Sequence, residues 1–179
     1  MTRDDLKILC GLDIDFEAIG LMEPGAAQEP YFCTPVGAEY VGRLGVDGIH
    51  FILLPGDERV FCVDPAMGEP GTYVLPVASR LREFLSYLLF CRDASPLSQI
   101  WWLEEGRFRT LLAEDAQNTW PGCEGFFARR DAALAEIARA FDLRPCDPYE
   151  PVKALQGAFD SGVLTFSDEY FDVLGLERE

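Results

Sequence analysis

The sequence predicts an α+β fold, with an antiparallel sheet from the N-terminal half packed against helices from the C-terminal half. Residues 31–77 are rich in Gly and Pro and contain short β-type runs. In residues 79–160, apolar side chains recur at helical spacing instead. Because strands and helices are segregated along the chain rather than alternating, the pattern is typical of α+β proteins.

Three β-type runs are the clearest strands, at 31–34, 49–54 and 59–63. The turn sequence PGDE at 55–58 separates the second run from the third and predicts a β-hairpin. A further short strand is expected at 71–75. Strands joined by tight turns run in opposite directions, so the predicted sheet is antiparallel.

Five helices are predicted in the second half. Ser79 is a candidate cap for the first helix, whose apolar stripe is formed by Leu81, Phe84, Leu85 and Leu88. Ser95-Pro96 is a start signal for the second helix. The others are expected at 107–117, 130–141 and 149–159. A short strand at 163–166 and a helical turn from Ser167 to Leu174 complete the prediction.

The length of 179 residues, 49% of them hydrophobic, is that of one domain with a shared core. No repeat or long linker divides the chain, so we expect a single domain over 1–179 with a helical C-terminal extension from about residue 92. No run approaches the roughly 20 apolar residues that a membrane span requires. The first residues, MTRDD, lack the order of a signal peptide. A cytoplasmic protein with no membrane partner is therefore predicted.

The formal net charge of −16 repels phosphate backbones and anionic lipid headgroups, which disfavours direct nucleic-acid binding. Such acidity serves solubility in many intracellular proteins. It also attracts a basic protein, as when an inhibitor covers a nuclease. Composition leaves both interpretations open.

The residue types that carry catalysis are sparse. His50 is the only histidine, and it lies in a strand on the side opposite Ile49 and Phe51, where a structural role is expected. No nucleophile elbow, P-loop, dinucleotide-binding fingerprint or zinc-protease motif is present. Asp13 and Asp15 do not begin a calcium loop, because apolar residues follow where turns are needed. We therefore predict no catalytic residue, no metal and no cofactor.

The six cysteines are widely spaced, at positions 10, 33, 62, 91, 123 and 146. Most lie in apolar runs such as VFCV at 60–63, where small buried hydrophobes occur. No C-x-x-C pair is present to form a zinc or redox site. All six are expected to be reduced thiols.

Adjacent tryptophans on a helix point about 100° apart, so Trp101 and Trp102 cannot both face one core stripe fully. One of them is expected to be half exposed. Burial of both under a wide core face is the commoner outcome, and a partner-contacting anchor is the functional alternative. Trp120, beside Pro121-Gly122, has the same two interpretations.

The middle of the chain, about residues 35–90, resembles the SUKH superfamily of bacterial toxin-immunity proteins and relatives of the fungal cell-wall assembly regulator. The matching segments are the turn GVDG at 45–48, IHFIL at 49–53, VFCVDP at 60–65, PVAS at 76–79 and EFL at 83–85. Each of these segments is also explained by local rules for turns, strand stops and helix caps. Members commonly begin with an amphipathic helix and a Leu-Pro entry, whereas this N-terminus is short and only weakly helical at 14–19. The helical C-terminal half extends beyond the match.

The resemblance implies a non-enzymatic domain that binds and neutralises a toxin, or an adaptor for other proteins. A basic toxin or nuclease is the partner that the acidic charge suits. The alternatives are a small-molecule-binding protein or carboxylate-based enzyme using His50 in a cleft, and a self-associating structural component. From exposure and residue type, the candidate partner-binding residues are Asp47, Asp57, Glu58, Glu69, Trp101 and Trp102.

Overall fold

The computed structural model describes residues 1–177. In chain order the elements are α1 (Thr2–Cys10), β1 (Glu39–Arg43), β2 (His50–Leu53), β3 (Val60–Val63), β4 (Val74–Ala78), α2 (Leu81–Cys91), α3 (Ser95–Gln99), α4 (Glu105–Gln117), α5 (Cys123–Phe141), α6 (Tyr149–Gly157) and α7 (Asp168–Leu174). Short 3-10 helices occur at Glu17–Ile19 and Ser161–Val163. The predicted α+β class is confirmed.

The four strands form one antiparallel sheet in the order β1-β2-β3-β4, so each strand pairs with its neighbour in sequence. The predicted hairpin is confirmed, with Leu53 opposite Val60 and His50 opposite Val63. Strand β1 was not predicted from the sequence. It pairs with β2 across an irregularity between Tyr40 and Gly42.

One face of the sheet carries the larger core and packs against the helices. Phe51, Leu53, Val60 and Cys62 are buried on this face. The stripe predicted for α2 packs there, and the rings of Phe51 and Phe84 lie 4.9 Å apart. Burial of such large apolar side chains is the main force that holds helix and sheet together.

The opposite face of the sheet has a second, smaller core, which the sequence did not predict. Ile52, Phe61 and Val63 are buried there. The C-terminal segment lies over them, with Tyr170 buried and the ring of Phe159 at 5.5 Å from that of Phe61. The sheet is therefore buried on both faces, which explains why the four residues of β2 and of β3 are all buried.

Two predicted strands are wrong. Residues 31–34 form a turn, in which the Thr34 N–H donates to the Tyr31 carbonyl at 2.8 Å and the Tyr31 N–H donates to Thr34 Oγ1 at 3.0 Å. The Thr34 side chain thus accepts a backbone N–H that a strand would use for sheet pairing. Residues 163–166 form no strand, since Val163 ends a 3-10 helix. Helix α1 was not predicted, because its apolar stripe has only a few residues and the rest of its surface is polar.

Helices α2 and α3 start close to the predicted positions, but their capping residues differ from those predicted. Helix α2 has Arg80 rather than Ser79 at the N-cap, and the Glu83 carboxylate accepts the Ser79 N–H at 2.6 Å. Before α3, Asp93 Oδ1 accepts the Ser95 N–H at 2.7 Å. Ser95 therefore lies inside the helix, and the preceding Asp supplies the acceptor.

All six cysteines are free, four of them buried. Across residues 1–177, no helix combines the length and the apolar character that a membrane crossing would need.

Candidate functional site

The end of the sheet where β1 turns into β2 holds the sequence-predicted Asp47 together with His50. Asp47 and Gly48 both have positive φ, 52° and 70°, as the two central residues of a type I′ turn require. The Ile49 N–H donates to the Val46 carbonyl at 3.1 Å and closes the turn. This turn sets the register that places Arg43 opposite His50.

His50 lies in an aromatic stack. Its ring stacks with that of Tyr40, at a centroid distance of 4.9 Å and 23° between planes, and with that of Tyr31, at 5.7 Å and 26°. Gly48 permits this arrangement, because a Cβ there would lie 2.5 Å from ring atoms of Tyr31. Tyr31 keeps 47% of its surface exposed, whereas His50 is buried.

Both ring nitrogens of His50 are engaged. Nδ1 lies 2.7 Å from the Gly48 carbonyl oxygen, which only accepts, so Nδ1 carries the hydrogen. Nε2 lies 3.2 Å from Thr34 Oγ1, whose hydroxyl is the remaining donor. Burial lowers the pKa of His50, and the hydrogen bond to Gly48 opposes that shift. The imidazole is therefore neutral at pH 7 and has no free nitrogen for proton transfer.

A pocket of about 280 Å³ opens beside this stack. Tyr31, Tyr40 and His50 line it together with the turn residues 45–49. Glu29 and Asp47 contribute the acidic lining. Two acids and the histidine thus line one pocket, as the enzyme alternative predicts, but both nitrogens of the histidine are engaged by Gly48 and Thr34.

Arg43 also lines the pocket, and its charge is compensated locally. Its Nε donates to Glu23 Oε2 at 2.6 Å, and Gln28 donates to the same carboxylate oxygen at 3.1 Å. This pairing raises the pKa of Arg43 and lowers the pKa of Glu23. Glu29 and Asp47 form no ion pair within residues 1–177, so they set the net charge of the pocket.

The other acidic candidates are divided between the two ends of the sheet. Glu69 is exposed in the β3–β4 connection, at the same end as Asp47. Asp57 and Glu58 lie in the β2–β3 turn at the opposite end, and both carboxylates are engaged. Asp57 pairs with Arg59 at 2.7 Å, and Glu58 accepts the Thr2 N–H at 2.8 Å.

The two tryptophans follow α3 on the helical side of the molecule. Trp102 is 43% exposed, as expected for one member of the pair. Trp101 is partly buried, its carbonyl accepts from Lys153 Nζ at 3.0 Å, and its Nε1 is buried without a hydrogen-bond partner among the described residues. Trp120 is 44% exposed and packs against Phe126 and Phe127, each at 5.5 Å.

The pocket residues Glu29, Tyr31, Tyr40 and Arg43 were missed from the sequence. A usable signal was present, because the Asp47-Gly48 dipeptide is a strong type I′ hairpin marker. It predicts a strand before residue 45 in register with β2, and this strand brings Tyr40 and Arg43 beside His50. The position of Tyr31 has no such local signal.

No three His, Cys, Asp or Glu side chains in the described part of the chain are placed to hold a metal ion together. Comparison with protein-family models, with curated proteins and with solved structures found no match for this chain.

Proposed function

We propose that this chain is a cytoplasmic protein-binding module that neutralises or regulates a basic partner, as an immunity or adaptor protein does. The observation that carries the proposal is the distribution of charge over the folded surface. Apart from Arg80, Arg144 and Lys153, every Lys and Arg side chain in residues 1–177 is already ion-paired with an acid of the same chain. Most acids in residues 1–177 are exposed, so most of the excess negative charge faces solvent.

This excess is not evenly spread. Residues 154–179 contain six acids and one base, Arg178, and the side chains of Asp160, Glu169 and Glu177 are exposed. At the β1–β2 end of the sheet, Glu29, Asp47 and Glu69 are exposed and form no ion pair within the described residues. An excess of charge of one sign raises the association rate with a partner of opposite charge and suppresses wrong partners. The carboxylates of Asp47 and Glu69 suit partner contact better than those of Asp57 and Glu58, which are occupied.

The proposal is tested by capturing partners on the tagged protein from the lysate of its source organism, at low and at moderate salt, with identification by mass spectrometry. We expect a basic protein that is retained at low salt and lost as ionic strength rises. Once identified, that protein is purified and its activity is assayed with and without this chain, with inhibition or modulation as the expected result. Capture of only neutral or acidic proteins, unaffected by salt, contradicts the proposal.

A charge-matched pair of variants locates the contact. Asp47→Asn combined with Glu69→Gln removes two charges from the β1–β2 end. Glu17→Gln combined with Glu169→Gln removes two charges elsewhere. If only the first variant captures less of the partner, the partner contacts this end of the sheet. If both variants lose capture equally, the attraction is long-range and has no defined contact there.

A further inference from the structure

The pocket beside the His50 stack has a size that restricts what it binds. Its volume of about 280 Å³ lies just below the roughly 300–1,000 Å³ of typical small-molecule sites. A single long side chain or a fragment of that size fits, whereas a complete nucleotide cofactor does not. The site is therefore matched to one anchoring residue of a larger partner.

The walls of the pocket favour a cation. Tyr31 lines the pocket and keeps 47% of its surface exposed, and aromatic faces attract cations. The acids Glu29 and Asp47 stand at the same opening without a basic partner in residues 1–177. His50 contributes no positive charge, and the charge of Arg43 is compensated by Glu23 at 2.6 Å. An anion entering here would meet two carboxylates and no uncompensated base of the described chain.

We infer that this pocket receives an arginine side chain of the basic partner, an inference that rests on the proposed function. Arginine fits better than lysine because its planar guanidinium stacks on a tyrosine ring while its N–H groups donate to carboxylates. The methylene stem lies along the aromatic wall. Tyr31 is the stacking residue, and Asp47 and Glu29 are the carboxylates that compensate the charge.

The first test uses a small probe and the free protein. Nα-acetyl-arginine amide is titrated into the ¹⁵N-labelled protein, and the amide spectrum is recorded, with Nα-acetyl-citrulline amide as an uncharged probe of the same shape. We expect saturable shifts confined to residues 28–31 and 43–50 with arginine and much smaller shifts with citrulline. Equal shifts with both probes, or arginine-induced shifts outside these segments, overturn the inference.

Two variants test the assigned roles. Asp47→Asn removes the charge while keeping a residue that tolerates positive φ, and Tyr31→Leu removes the aromatic face. Each is expected to weaken arginine binding by about three- to tenfold. Glu169→Gln, the same loss of charge on α7, is expected to leave binding unchanged. Asp47→Asn keeps the inference testable if Tyr31→Leu destabilises the fold, and unchanged affinity in Asp47→Asn contradicts it.

Partner capture separates this inference from the proposed function. If both variants retain a captured basic protein as the wild type does, the function stands and the arginine pocket is refuted. If the arginine probe binds at the pocket but no basic protein is captured, the cation site stands and the proposed function fails.

Discussion

Gly48→Ala tests the packing of the aromatic stack directly. Gly48 has φ of 70°, a conformation that costs a residue with a Cβ roughly 1–2 kcal/mol. The new Cβ would also lie 2.5 Å from the Tyr31 ring, so this ring must move and loses its stacking on His50. An aromatic pair contributes about 0.5–1.5 kcal/mol beyond its burial. The two effects together predict a loss of about 1.5–3.5 kcal/mol in the free energy of unfolding.

Two other glycines separate these contributions. Gly56 has φ of 74°, and no atom lies within 4 Å of the place that a Cβ would take, so Gly56→Ala carries the backbone cost alone. Gly11 has φ of −86°, and the nearest neighbours of an added Cβ are 3.5 Å away, so Gly11→Ala is expected to be neutral or slightly stabilising. Urea denaturation measures all three free energies. Gly48→Ala should lose the most stability, and Gly56→Ala an intermediate amount.

The excess cost at Gly48 should depend on Tyr31. In a Tyr31→Ala background, Gly48→Ala is expected to cost no more than Gly56→Ala, because the ring that the new Cβ meets is gone. If Gly48→Ala and Gly56→Ala destabilise the wild type equally, the ring makes no close contact with Gly48. The assigned wall of the pocket would then be wrong.

Three further outcomes are expected. Phe84→Ala should cost about 3–5 kcal/mol by chemical denaturation, because the ring is fully buried 4.9 Å from Phe51; a cost near ~1 kcal/mol would contradict the shared core of helix and sheet. Burial lowers the folded-state pKa of His50, so the unfolded state binds the proton first and stability falls as pH drops from about 6.5 to the folded pKa. His50→Gln should remove that part of the slope in denaturation midpoints between about pH 7 and 5, and an unchanged slope would refute it. Burial raises the pKa of Asp93, so its charged form opposes folding. Asp93→Asn keeps an acceptor for the Ser95 N–H and should raise the melting temperature at pH 7. A lower melting temperature would show that the charge stabilises the fold.

Local rules account for the parts of the molecule that the sequence determined by itself. The turn at 55–58 specifies the β2–β3 hairpin, and the spacing of Leu81, Phe84, Leu85 and Leu88 specifies the face of α2 that packs in the core. The order of strands before helices predicts the α+β class. In each case a few neighbouring residues carry the signal, since turn chemistry and amphipathic periodicity act over one or two turns of chain.

The tertiary structure decided what depends on distant segments. Residues 31–34 have β-type composition, but Thr34 satisfies the local backbone and joins Tyr31 to His50, 16 or more residues away. The second core forms only because the C-terminal segment returns over the sheet and places Tyr170 there. The environment of His50, and with it the pocket, comes from long-range contacts that no local spacing encodes. The sequence shows that residue 50 is a histidine. The burial of His50, the hydrogen bonds of its nitrogens and its lowered pKa follow from the residues that pack around it.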